Sequence, residues 1–161
     1  TRYSHGTGSV EDNVRAAIDC GLSAVGISDH GIKQIAHGVE PDALLRQIES
    51  LAKYQDKGGM WHTLIDDPTS YLEASATSGF GFGILKAVEQ GIVPESYRAN
   101  AMRALQPVLD CIDEKGVVQQ VSYGTPMGRE SKDFYKQIPL HPMPYGQAMA
   151  ILFLMEAEAQ V

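Results

Sequence analysis

A change of pattern at Pro41 constrains the fold of this chain more than any other feature. After it, apolar residues recur at helical spacing. Leu44, Leu45, Ile48, Leu51 and Ala52 mark one helix face, and Gly58-Gly59 stops that helix. The spacing predicts a second, long helix over Ser70 to Gly91, even though Gly79, Gly81 and Gly83 fall inside it. A glycine inside a helix costs about 1 kcal/mol relative to alanine, so such a series implies a close neighbour. Pro94-Glu95-Ser96 opens a third helix that runs to about Glu114, with Pro107 predicted to kink or break it. The last helix, about Gly146 to Gln160, is almost wholly apolar through Leu154, which predicts burial. Between the helices, Met60 to Ile65 reads as extended, Asp66-Asp67-Pro68 as a turn, and Val117 to Tyr123 as a strand. Pro139, Pro142 and Pro144 hold Ile138 to Tyr145 out of regular structure. This rhythm suits helical hairpins packed side by side.

Before Pro41 the chain reads differently. Ser9 with Asp12 opens a helix whose apolar face is Val14, Ala17 and Ile18, and Gly21 ends it. Residues 23–28 form a short apolar run of the kind seen in a doubly buried strand, followed by Asp29-His30-Gly31. The expectation is a small α/β unit, loop–helix–strand, over residues 1–41, and a helical unit over 42–161.

With 161 residues and a formal charge of −7, the chain is long enough to bury a core and lacks the basic face that phosphate binding needs. No nucleic-acid partner is expected. No apolar run reaches transmembrane length and the start is polar, so neither a membrane partner nor a signal peptide is expected. Cys20 and Cys111 have no metal or redox spacing and read as two buried thiols. Together these features imply a cytoplasmic location.

Two groups of residues could carry chemistry. His5 and His30 stand where loops meet strand ends, and Asp29 could orient an imidazole on a divalent metal. Two histidines and a carboxylate fall short of a closed zinc site, and ordinary loop histidines are the favoured reading. In the second group, Trp61, His62, Asp66, Asp67, Tyr71 and Glu73 crowd one extended stretch and the start of a helix. Aromatic rings stack on sugars, and paired carboxylates serve glycoside hydrolysis. Asp66-Asp67-Pro68 is equally good turn and cap chemistry, the favoured reading there. Trp61 with His62 is balanced between core and cleft. The Gly79–Gly83 series follows helix and is not a phosphate loop.

Two resemblances add to this reading. Tyr3-Ser4-His5, Gly8-Ser9-Val10-Glu11 and Asp29-His30-Gly31 resemble elements of the polymerase-and-histidinol-phosphatase (PHP) family of metal-dependent phosphoesterases. That resemblance implies a partial site for a divalent metal, zinc or manganese, at His5 and His30, and a phosphoesterase remnant as one reading of function. The family's opening His-x-His and its later ligands have no counterpart here. Over a larger share of the chain, GMWHTLIDDPTSYLEASATSGFGFGILKAVEQG resembles the C-terminal half of the unsaturated rhamnogalacturonyl hydrolases, glycoside hydrolase family 105/88. Gly124-Thr125-Pro126, Phe134-Tyr135 and the closing helix with Glu156 continue the similarity. It implies a mainly α fold, a partial (α/α) toroid of helical hairpins with short β-strands. It also implies descent from an enzyme that protonates and hydrates an unsaturated uronic acid on pectin-derived oligosaccharides. Trp61, His62 and Tyr135 become the expected saccharide contacts. The family's catalytic Asp and its Trp-x-Arg-Gly-Asn-like segment belong to its earlier half and do not occur in this sequence. An incomplete toroid leaves an apolar flank open, so homo-oligomerisation is expected. A chimeric, catalytically silent assembling domain is the remaining reading.

Overall fold

A computed structural model describes Arg15, Asp19 and residues 41–160 other than 127 and 129. The chain divides between Glu40 and Pro41. The expected capping box, the strand over residues 23–28, and both His5 and His30 lie outside the described residues.

From Pro41 onward the fold is mainly α. Helix α1 spans Pro41–Tyr54, α2 Ala74–Glu89, α3 Arg98–Asp110 and α4 Pro144–Glu158. One 3₁₀ turn, Glu95–Tyr97, leads into α3, and another covers Lys132–Gln137. Helix α2 is the centre, with α4 packed along one side and α3 along another, while α3 and α4 touch little. The core joins Ile48 and Leu51 of α1 to Ile84, Leu85 and Val88 of α2, Ala101, Ala104 and Val108 of α3, and Ala150 and Phe153 of α4.

The glycine series in α2 does admit a close neighbour. A Cβ at Gly81 would lie 2.5–2.8 Å from three atoms of the Phe153 ring, which is fully buried. Small residues let a bulky ring from α4 reach the backbone of α2.

Four expectations about the elements need correction. Helix α2 begins at Ala74, not Ser70, because Glu73 supplies the cap. Val117 to Tyr123 does not form a strand. Gln120 adopts φ +60°, which breaks the extended path, and only isolated bridges remain, Ile112 with Val118 and Ser122 with Leu140. The third helix ends at Asp110 and not near Glu114, with Pro107 inside it and not breaking it. Helix α4 is not wholly buried. Gly146, Ala150, Phe153, Glu156 and Ala157 face inward, while Ile151, Leu152 and Met155 are exposed, Met155 by 65%. Its apolar composition runs all the way round, so sequence alone could not say which side has a neighbour.

Gly59 shows a second close approach. It adopts φ +97°, and a Cβ there would fall 2.2 Å from the Arg103 carbonyl oxygen. Gln55 fastens the same turn to α3, its Nε2 donating to the Gly59 and Asn100 carbonyls at 2.7 and 2.8 Å.

Candidate functional site

The chemistry-bearing residues gather around the N-terminus of α2. Three segments meet there: the turn from Trp61 to Glu73, the stretch from Val118 to Ser122, and the link from Ile138 to α4. They are joined through backbone groups. Glu73 N–H donates to the Trp61 carbonyl at 3.0 Å, Ala74 N–H to the Gln120 carbonyl at 2.9 Å, and His141 N–H to the Val121 carbonyl at 2.8 Å.

Glu73 organises this junction. It is 3% exposed. Its carboxylate accepts from the Ala76 N–H, 2.5 Å, and from the Ser75 hydroxyl, 2.9 Å. It also accepts from the Ser122 N–H across the junction, 2.9 Å. A carboxylate at a helix N-terminus satisfies otherwise orphaned N–H groups and meets the positive end of the helix dipole. Glu73 therefore fastens the 118–122 segment to the helix and offers no open face to a substrate.

Trp61 is fully buried. Its ring N–H donates to the Leu51 carbonyl at 2.8 Å, its backbone N–H to the Thr77 hydroxyl at 3.1 Å, and Phe80 meets it edge-on at 5.5 Å. The reading of Trp61 as a sugar platform is corrected on this ground, because stacking needs an open ring face. His62 is half-buried, with Nδ1 2.6 Å from the Ser70 carbonyl and Nε2 3.8 Å from Asp56. Since a carbonyl can only accept, Nδ1 carries the proton in that bond. Tyr135 lies on the 3₁₀ turn, half-buried, its hydroxyl accepting from the Gly128 N–H at 3.2 Å and its ring edge-on to Phe134. Trp61 and His62 are thus chain neighbours held inside the turn. Tyr135 belongs to a separate surface segment.

Asp67 accepts from Lys136 at 2.8 Å, from the Thr69 hydroxyl at 2.6 Å and from the Thr69 N–H at 3.0 Å. Lys136 first, then Thr69, hold its carboxyl well below the usual carboxylate range. It is ionised at neutral pH and cannot donate a proton there. Tyr71 carries a buried hydroxyl with no hydrogen-bond partner among the described residues.

Sequence reasoning passed over an exposed aromatic group beside the junction. Tyr123 is 60% exposed with His141 edge-on at 5.6 Å. The Tyr145 hydroxyl donates to the Ser122 carbonyl and accepts from the Gly124 N–H at 3.0 Å. The proline-rich link hid this grouping, since it depends on a bridge between Ser122 and Leu140 that no local pattern announces.

No group of three or more His, Cys, Asp or Glu among the described residues could hold a metal ion. No described helix is long and apolar enough to cross a membrane. Cys111 is a free, half-buried thiol whose pKa is raised by burial. Cys20 lies outside the described residues.

Helices packed around a capped α2, with loops clustered at its N-terminal end, make a mainly helical fold. The family model for Glycosyl Hydrolase Family 88 matches residues 40–161, and the chain belongs to that family. It is 35% identical over 117 residues to the unsaturated rhamnogalacturonyl hydrolase YesR of Bacillus subtilis (strain 168), covering 71% of this chain and 32% of YesR. Two solved structures, from Salmonella enterica serovar Paratyphi A and Klebsiella pneumoniae, are each described as a possible member of the GH105 family. They are 51% and 52% identical to it, both with a TM-score of 0.72. The alignments cover 74% of this chain and 32% and 31% of theirs. The chain thus spans about a third of the length of the relatives it matches. The matched residues leave out His5 and His30.

Proposed function

We propose that residues 41–161 form the closing hairpins of a hydrolase acting on unsaturated rhamnogalacturonyl saccharides, contributing scaffold and substrate-facing loops but not the proton donor. The observation that carries this is the 117-residue similarity to YesR, together with a family match over residues 40–161 that takes in all four described helices. The carboxylates at the junction support the division of labour. Hydration of the sugar's double bond needs an acid that holds a proton near neutral pH. Asp67 is ion-paired and Glu73 is consumed by capping.

The test follows the ultraviolet absorbance of unsaturated galacturonyl-rhamnose. The expected result is no turnover by this chain alone, and turnover when it is mixed with the separately expressed preceding part of YesR. Turnover by the chain alone would overturn the division of labour. A mixture that co-purifies yet leaves the absorbance unchanged would overturn the functional reading.

A further inference from the structure

Two segments meet at one base, where Ser122 bridges Leu140, Tyr123 N–H donates to the Pro139 carbonyl at 2.8 Å, and Ile138 is buried. The 3₁₀ turn Lys132–Gln137 lies directly before that base. Gly128 packs against its Phe134 and Tyr135. A Cβ on Gly128 would fall 2.7 Å from the Phe134 ring.

The turn reaches back to the domain through charge. Lys136 Nζ lies 2.8 Å from the Asp67 carboxylate and 2.9 Å from the Thr69 hydroxyl, and Lys132 Nζ lies 3.5 Å from Asp67. Asp133 adds a third partner to Lys136 at 3.2 Å. An isolated surface ion pair contributes little, but a shared carboxylate in a network is the exception. The Asp67 side chain is 12% exposed, and Thr69 fixes its orientation. Its geometry is therefore set before the lysines arrive, which lowers the entropic cost of the pair.

We propose that Asp67 is the latch of a strap. The base is permanent, and the Lys136–Asp67 contact decides whether Lys132–Gln137, with Phe134 and Tyr135, lies against the domain or swings free. Asp67 is then a positioning residue for Tyr135. The latch itself stands on geometry and is independent of the saccharide reading.

Hydrogen exchange by mass spectrometry on the full chain tests it. Asp67→Asn and Lys136→Met should each speed exchange in peptides covering 131–137 by roughly tenfold, with the double variant no faster than either single one. Lys136→Arg should keep the parent rate, and 1 M salt should mimic the single variants. Exchange in α2 and α4 should not change. Unchanged strap exchange in both single variants would overturn the proposal. So would faster exchange across α2 and α4, which would make Asp67 a support of the whole fold.

Discussion

The ring of Phe153 occupies the space that a side chain at Gly81 would need. Helices α2 and α4 are fitted together at that point by the absence of one carbon. Gly81→Ala would gain about 1 kcal/mol of helix propensity. Against that stands overpacking, about 1–3 kcal/mol where the neighbour cannot move. Phe153 is fully buried, so strain is expected to win. Urea denaturation should show a lower midpoint for Gly81→Ala, and a midpoint at or above the parent's would show that Phe153 can yield.

Glu73 joins a helix cap to a distant segment, so its loss has two parts. Glu73→Ala removes the cap, about 1 kcal/mol. It also strands the buried Ser122 N–H, about 1–3 kcal/mol more. Glu73→Gln keeps an acceptor oxygen and should cost clearly less. Equal losses in the two variants, measured by denaturant unfolding, would show that charge and not hydrogen bonding does the joining.

Trp61 is the sole tryptophan, so its fluorescence reports one place. Iodide should not quench native emission, and adding the unsaturated disaccharide should leave it unchanged. Trp61→Ala should cost about 3–5 kcal/mol of stability. Quenching in the native state would restore Trp61 as a surface residue and a sugar contact.

How much of this was legible in the sequence depended on the range of the interaction. The apolar spacing of Ile48 and Leu51, the close neighbour implied by the α2 glycines and the turn at Asp67 are local signals, and they read correctly. The start of α2 did not, because Ser70 and Glu73 are both plausible caps and only the pairing with Ser122 separates them. Val117, Val121 and Tyr123 alternate like strand residues, yet φ +60° at Gln120 turns the chain between the first two. The contact between Lys136 and Asp67 was invisible, since they meet across 69 positions. Trp61 looked like either core or cleft because an amphipathic ring suits both. Contacts with Leu51 and Thr77 decide it.

Self-association is expected through the outer face of α4, where Ile151, Leu152 and Met155 are exposed together. Apolar groups in such a cluster gain by leaving water. Light scattering at micromolar concentration should show more than the monomer mass of 17.5 kDa. The double variant Ile151→Glu, Met155→Glu should return it to the monomer. A parent protein that is already monomeric would refute this.

The pH dependence of the strap follows from two opposite shifts. Asp67 sits below its ordinary 3.8, through Lys136 first and then Thr69. Its contribution is full above that value and is lost as pH falls through the lowered one. Lys136 sits above its ordinary 10.5, through Asp67 first and then Asp133, so its contribution is full below 10.5 and is lost as pH rises through the raised one. Lys132 also faces Asp67, at 3.5 Å. Strap protection, corrected for the intrinsic exchange rate, should be flat from about pH 4 to neutral and fail only in stronger acid. Loss centred on the ordinary value of 3.8 would mean that the carboxylate is not held by its partners.

Pro107 lies four residues after Arg103, and proline has no N–H to return to that carbonyl. Gly59 brings its bare Cα against that same carbonyl. The one rung that the interior of α3 cannot close for itself is therefore the one the 55–60 turn is shaped to meet. The flaw in the ladder lies where the turn comes closest to α3.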